Sequence, residues 1–273
     1  MVLGACSSNI VTVHPAQLWP FEQFSVRVND GPEAVAFYSR PDVEPRRLVV
    51  VVQSPPCEAS RAQPQFAQAI STSGVLWKQL ARDSAYIQFD RVGPKQDGAP
   101  SVCAATPWTI ESWRSETAST IAAIRKAEGL LSHATLYFGL GEGAYVASLL
   151  AAKDRTAEGL VLINGSGLND DFRRLAPRLP LLIVHGSNDD RTPVEAAVLL
   201  FSRLASIRRG VSLVMLDEYS HDLNLGGGRP ECFEAAMQLI VSRARTMTAG
   251  ADSKQGRVEW TDCADAMKEF PPD

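Results

Sequence analysis

The feature that most constrains this chain is a repeated alternation. Short runs of consecutive apolar residues, each too short for a helix of ordinary length, are separated by stretches with helical spacing. The run Leu48-Val49-Val50-Val51-Val52 shows the first kind. Successive side chains of a strand point to opposite faces, so an unbroken β-branched run needs apolar cover on both sides, as in the middle of a parallel sheet. Comparable runs lie at 85–89, 134–138, 159–163, 180–184 and 211–216, while 24–28 and 34–38 alternate like an antiparallel pair. With 47–53 these predict eight strands.

Helical spacing fills the gaps, at 66–81, 108–128, 144–153, 194–206 and 230–245. In the second of these Ile110, Trp113, Thr117, Ile121 and Ile124 fall three or four residues apart and predict one apolar stripe. Trp108 and Trp113 read as core residues. Pro193 and Pro230 stand near helix starts, where a missing N–H costs nothing. Two antiparallel strands followed by strand–helix alternation predict an α/β fold: an open, doubly wound, mostly parallel sheet of eight strands. All 273 residues fit one such core, assigned to 24–247, with 45% hydrophobic residues to fill it. Residues 248–273 read as a polar tail, mobile unless Cys263 tethers it.

Charge excludes one class of partner. Lys and Arg number 27 against 31 acids, a net charge of −4, so the chain offers no basic field to nucleic acid. No stretch reaches the roughly 18 apolar residues of a spanning helix. The opening Met1-Val2-Leu3-Gly4-Ala5-Cys6-Ser7 resembles the end of a bacterial lipoprotein signal, in which small residues precede a Cys that is lipidated after cleavage. The resemblance implies residues 1–6 as a signal remnant, Cys6 as the lipid site and a periplasmic or outer-membrane protein held by a lipid anchor alone. The alternative is a chance apolar start on a cytoplasmic protein. Export would leave Cys57, Cys103, Cys232 and Cys263 in an oxidising compartment, and the favoured pairs are Cys57–Cys103 and Cys232–Cys263. The alternative is four reduced thiols. No C-x-x-C spacing supports a metal or thioredoxin-like site.

In a sheet of this kind ligands sit beyond the carboxyl ends of the strands. After 134–138 comes Gly139-Leu140-Gly141-Glu142-Gly143, after 180–184 comes His185-Gly186-Ser187-Asn188-Asp189-Asp190-Arg191-Thr192-Pro193, and after 211–216 comes Asp217-Glu218-Tyr219-Ser220-His221. The order is glycine turn, acid, histidine. In these three loops the chain resembles the α/β-hydrolase family over about residues 24–245. That family has a Gly-x-Ser-x-Gly nucleophile elbow, then an acid, then a His after the last strand. The resemblance implies Asp189 and His221 as triad members, Gly139 and Gly143 as the elbow's outer glycines, and Gly141 at the nucleophile position. Asp189 is preferred to Asp190 because Pro193 sets the register.

Glycine at that position removes the attacking oxygen, so the family's acyl-enzyme route is closed. The oxyanion hole would draw on the N–H of Glu142 and, in Gln53-Ser54-Pro55-Pro56-Cys57, on position 55, where proline has no N–H. Losing one such donor costs about 2.7–4 kcal/mol in the transition state. Ser166, in Asn164-Gly165-Ser166-Gly167, is the remaining hydroxyl at a strand end and the candidate for a migrated nucleophile, against an ordinary turn residue. His221 beside Asp217, Glu218 and Asp222 also reads as a surface histidine, His185 as a packing residue and Glu142 as helix-starting charge. A dinucleotide-binding loop fits poorly, since Tyr145 stands where its third glycine belongs. The stretch 165–179 is too short for a large helical cap.

The resulting expectation is an α/β-hydrolase-fold envelope lipoprotein acting as a pseudohydrolase, using no cofactor or metal and binding a small molecule, a glycan or a protein. The alternative is an active hydrolase of carboxyl esters or peptides, working through Ser166 or inactivated here by a Ser→Gly change.

Overall fold

The computed structural model describes residues 11–18, 21–27, 33–53, 76, 78–90, 109–165, 179–207, 210–221, 223, 229–248 and 256–271. Its strands are β1 (Val11–Leu18), β2 (Phe21–Arg27), β3 (Glu33–Ser39), β4 (Leu48–Gln53), β5 (Ala85–Asp90), β6 (Thr135–Leu140), β7 (Ala157–Ile163), β8 (Leu181–Gly186), β9 (Val211–Leu216) and β10 (Arg257–Thr261). Five helices are described: α1 (Ile110–Ala127), α2 (Gly143–Ala151), α3 (Val194–Ile207), α4 (Pro230–Thr248) and α5 (Cys263–Glu269). Of the helix expected at 66–81, only residues 76 and 78–80 fall among the described helical residues.

All ten strands form one sheet in the order β1-β2-β3-β5-β4-β6-β7-β8-β9-β10. The first three strands and β5 pair antiparallel, and from β5 to β10 every pair is parallel. The eight expected strands are present, and the described residues contain no lid domain.

The valine run of β4 explains the layering. Val50 and Val52 pack into one core with Ile121 and Ile124 of α1, Ala147 and Leu150 of α2, and Leu200 and Leu204 of α3. Val49 and Val51 pack into the other with Phe233, Met237 and Ile240 of α4. Each of these valines is fully buried. Complete burial of such a side chain contributes about 1.5–3 kcal/mol, which is why an unbroken apolar run is stable only between two helical layers. After β4 the chain crosses to β5 on one side and then returns to β6 on the other. In open α/β sheets such a reversal is where a ligand crevice forms, here at the carboxyl ends of β4 and β6.

Three expectations need correction. The stripe of α1 is narrower than its spacing predicts: Thr117, Thr120, Ile121 and Ile124 are buried, Trp113 packs on the core's margin, and Ile110 is 48% exposed. Ile110 opens the helix, where Thr109 and Ser112 form a capping box. The sheet has two more strands than expected, β1 and β10, one at each edge. Finally, 248–273 is more than a tail. Part of it is β10, parallel to β9 and reached by a crossover through α4, and part is α5. Charge holds β10 from outside the core, because Arg243 of α4 bonds Glu259 at 2.8 Å and Glu269 of α5 at 2.8 Å.

Candidate functional site

The turn from β6 into α2 is dictated by small residues. A Cβ on Gly139 would lie 2.4 Å from the Cα of Ala144, so only glycine lets α2 fold back so closely on its own strand. Gly141 stands at the apex with φ +54°, in the left-handed region. Its N–H donates to the carbonyl of Ile163 at 2.9 Å and its carbonyl accepts from the N–H of Ala144 at 3.1 Å, so the turn is anchored to β7 and to α2. Glu142, the N-cap of α2, is exposed.

The loop after β8 carries Asp189. Its side chain is fully buried, and Oδ1 accepts from the N–H groups of Arg191 at 2.9 Å and Thr192 at 2.8 Å. The loop after β9 brings His221 onto the same carboxylate, with Nδ1 2.9 Å from each oxygen. Asp190 is exposed. A buried carboxylate needs donors, and two backbone N–H groups plus one imidazole N–H supply them. An Nδ1–H donated to Asp189 leaves Nε2 as the unprotonated, basic nitrogen. Nε2 has no hydrogen-bond partner among the described residues, and the side chain is 14% exposed. Of the acids suspected from sequence, Asp217 is engaged elsewhere: its Oδ1 accepts from the Ser187 hydroxyl, and that hydroxyl accepts from the Glu218 N–H.

His185 is buried beneath this loop, with Nε2 2.9 Å from the Thr192 carbonyl. Burial pushes its pKa below the ordinary histidine value, so the neutral ring donates to Thr192. It braces the acid loop.

One residue of the site gave no signal in the sequence beyond that of a turn. Asn164, at the end of β7, is buried with φ +48°, a conformation asparagine tolerates better than most side chains. Its Oδ1 accepts from Gly186 N–H at 2.9 Å, and its Nδ2 donates to the carbonyls of His221 at 2.5 Å and Ser220 at 3.2 Å. One amide therefore ties the acid loop to the histidine loop. These loops also touch at Gly186, where a Cβ would lie 2.2 Å from the Tyr219 carbonyl. Tyr219 is buried, donates its hydroxyl to the Cys232 carbonyl at 2.8 Å, and has its pKa pushed up to about 12 by burial. The sulfurs of Cys232 and Cys263 lie at disulfide distance, with Cα atoms 5.1 Å apart, joining the start of α4 to α5.

Ser166, Pro55, Cys6, Cys57 and Cys103 lie outside the described residues. Among the described residues no cluster of His, Cys, Asp or Glu could hold a metal ion, and no helix is long and apolar enough to cross a membrane.

No protein-family model matches the chain, and neither does any curated protein sequence. Solved structures do. The chain is similar to an acylaminoacyl peptidase from Pyrococcus horikoshii, with TM-score 0.60 and 13% identity over 83% of this chain and 41% of that one. It is similar to the esterase domain of a Rhodothermus marinus protein, with TM-score 0.57 and 16% identity over 82% and 98% of the two chains. A Xanthomonas campestris α/β serine hydrolase without a lid gives TM-score 0.59 and 15% identity over 85% and 97%. The chain thus spans less than half the length of the peptidase. At these identities the likeness is one of architecture, and function has to be argued from the site. Sheet order, helical layers and neighbours agree that this chain carries the α/β-hydrolase fold.

Proposed function

We propose that this protein is a pseudohydrolase: an α/β-hydrolase-fold envelope protein that forms no acyl-enzyme and uses its cleft to bind a small molecule, a glycan or a protein segment. One observation carries the reading. Gly141 stands at the apex of the β6–α2 turn, which we read as the nucleophile position, while Asp189 and His221 meet at 2.9 Å. Strain of about 1–3 kcal/mol burdens a side-chain-bearing residue in such a conformation, and glycine avoids it. Without a hydroxyl no covalent intermediate can form there, and Pro55 offers no N–H to an oxyanion. Cys6 is the proposed lipid anchor, which would place the protein at the periplasmic face of a membrane or on the outer membrane.

The assembled Asp–His pair favours a second reading, an active hydrolase of esters or peptides whose nucleophile is Ser166. A serine-reactive fluorophosphonate separates the two. The pseudohydrolase reading expects no labelling of the natural chain and labelling of Gly141→Ser. Labelling of the natural chain that disappears in Ser166→Ala establishes the second reading instead. The anchor has its own test: expression from a natural upstream start should yield a protein whose mass includes a lipid at Cys6, and an unmodified product refutes it.

A further inference from the structure

We infer that the Asp189–His221 pair is a working general base that activates water directly, giving the protein a slow, single-displacement hydrolysis of activated acyl compounds. The inference rests on the reading of Gly141 as the vacated nucleophile position. The charge arrangement supports it. His221 Nδ1 is committed to a fully buried carboxylate, and that carboxylate is held in place by two backbone N–H donors. The ring's orientation and tautomer are therefore set before any ligand arrives. Nε2 has no hydrogen-bond partner among the described residues, and the side chain is 14% exposed. In a serine hydrolase this nitrogen would be occupied by the nucleophile's hydroxyl. If Gly141 is the vacated nucleophile position, no protein hydroxyl competes there for Nε2, and a water oxygen takes the part of Oγ.

The chemistry balances without any covalent protein intermediate. The water oxygen attacks the acyl carbon as His221 Nε2 takes one of its protons, and the carbonyl π pair moves onto oxygen. Asp189 stabilises the imidazolium so formed. The carbonyl then re-forms as the bond to the leaving alkoxide breaks, and His221 returns its proton to that alkoxide. The products are a carboxylic acid and an alcohol, and the imidazole is regenerated. Because the oxyanion is poorly supported, substrates must bring their own activation, through electron-withdrawing groups on the acyl side.

Ethyl dichloroacetate is the probe: its acyl carbon is electrophilic, and its poor leaving group disfavours direct attack by imidazole. The full chain should hydrolyse it faster than buffer, with no burst, more slowly in D2O, and with no acyl adduct in intact-mass spectra taken during turnover. General-base catalysis contributes about 10²–10⁴-fold, so His221→Ala and His221→Gln should each lose about 10²-fold or more. Using both keeps the test sound, since glutamine can still bond Asp189 and preserve the loop. His133→Ala, at the opposite end of the strands beside Glu44, should match the natural chain. Rates within tenfold of the natural chain for both His221 variants overturn the inference, as does an acyl adduct on any residue. Fluorophosphonate labelling of the natural chain would instead sink the pseudohydrolase reading. An unlabelled chain with no His221-dependent turnover leaves that reading standing and removes only this one.

Discussion

Replacing Asn164 should do more damage than replacing any other uncharged side chain near the site. The amide is 1% exposed and satisfies three backbone groups: the N–H of Gly186 and the carbonyls of Ser220 and His221. A buried polar group left without its partner costs about 1–3 kcal/mol. Asn164→Gly is the informative variant, since glycine adopts φ +48° freely and the loss then reflects the hydrogen bonds. The Ser220 carbonyl keeps the Leu223 N–H at 3.0 Å, so two groups are orphaned; at the low end of that range, which applies because water can enter the space the amide leaves, they give about 2 kcal/mol. For a domain of this size the midpoint of thermal unfolding should fall by roughly 4–8 °C. Asn164→Asp leaves no such space and turns the donor facing two carbonyls into an acceptor, so its loss should be larger. Urea unfolding is the assay, with a lowered midpoint and unchanged slope marking a stability effect. In a Gly141→Ser background, both changes should also slow fluorophosphonate labelling, because the histidine loop loses its tether. If both variants stay within about 1 kcal/mol of the natural chain, the amide is not the bridge described here.

Three further predictions follow from packing and charge. Gly186→Ala places a methyl 2.2 Å from the Tyr219 carbonyl, so the histidine loop must move; we expect a loss of about 1–3 kcal/mol and weaker labelling in the Gly141→Ser background, and an unchanged unfolding midpoint refutes the contact. At the other end of the sheet, burial tends to raise the Asp154 pKa, but hydrogen bonds from Arg125, Thr156 and Tyr137 outweigh it and hold the value below the ordinary one. Its stabilising contribution is therefore complete above about pH 4 and lost as pH falls through the lower folded value, so Asp154→Asn should flatten the acid limb of a stability–pH curve; an unaltered limb refutes this. Oxidative joining of Cys232 and Cys263, 31 residues apart, should stabilise by about 3–4 kcal/mol, read as the loss on reduction, and non-reducing mass mapping should find this link together with Cys57–Cys103; free thiols at all four positions remove the argument for export.

Much of this architecture was legible because its causes are local. A strand buried on both faces must be apolar at every position, and Val49 to Val52 meet that demand in two different cores. The turn at Gly139 and Gly141 was legible for the same reason, since close helix–strand approach and a left-handed φ both call for glycine. Asp189 and His221 were named by the resemblance of their loops to those of the α/β-hydrolase family. Their contact, spanning 32 positions in the chain, exists only once β8 and β9 lie side by side.

What the sequence hid depends on partners far along the chain. Asn164 drew no reading of its own from the sequence, and its role appears only when carbonyls 56 and 57 positions away arrive at its amide. The strand β10 looked like part of a polar tail, because its ladder with β9 and its Arg243 ion pair are supplied by other segments. Ile110 carried the right spacing for burial but is 48% exposed at the start of α1. Periodicity and turn chemistry are properties of neighbouring residues and survive in the bare chain, whereas the company a side chain keeps is decided by the folded sheet.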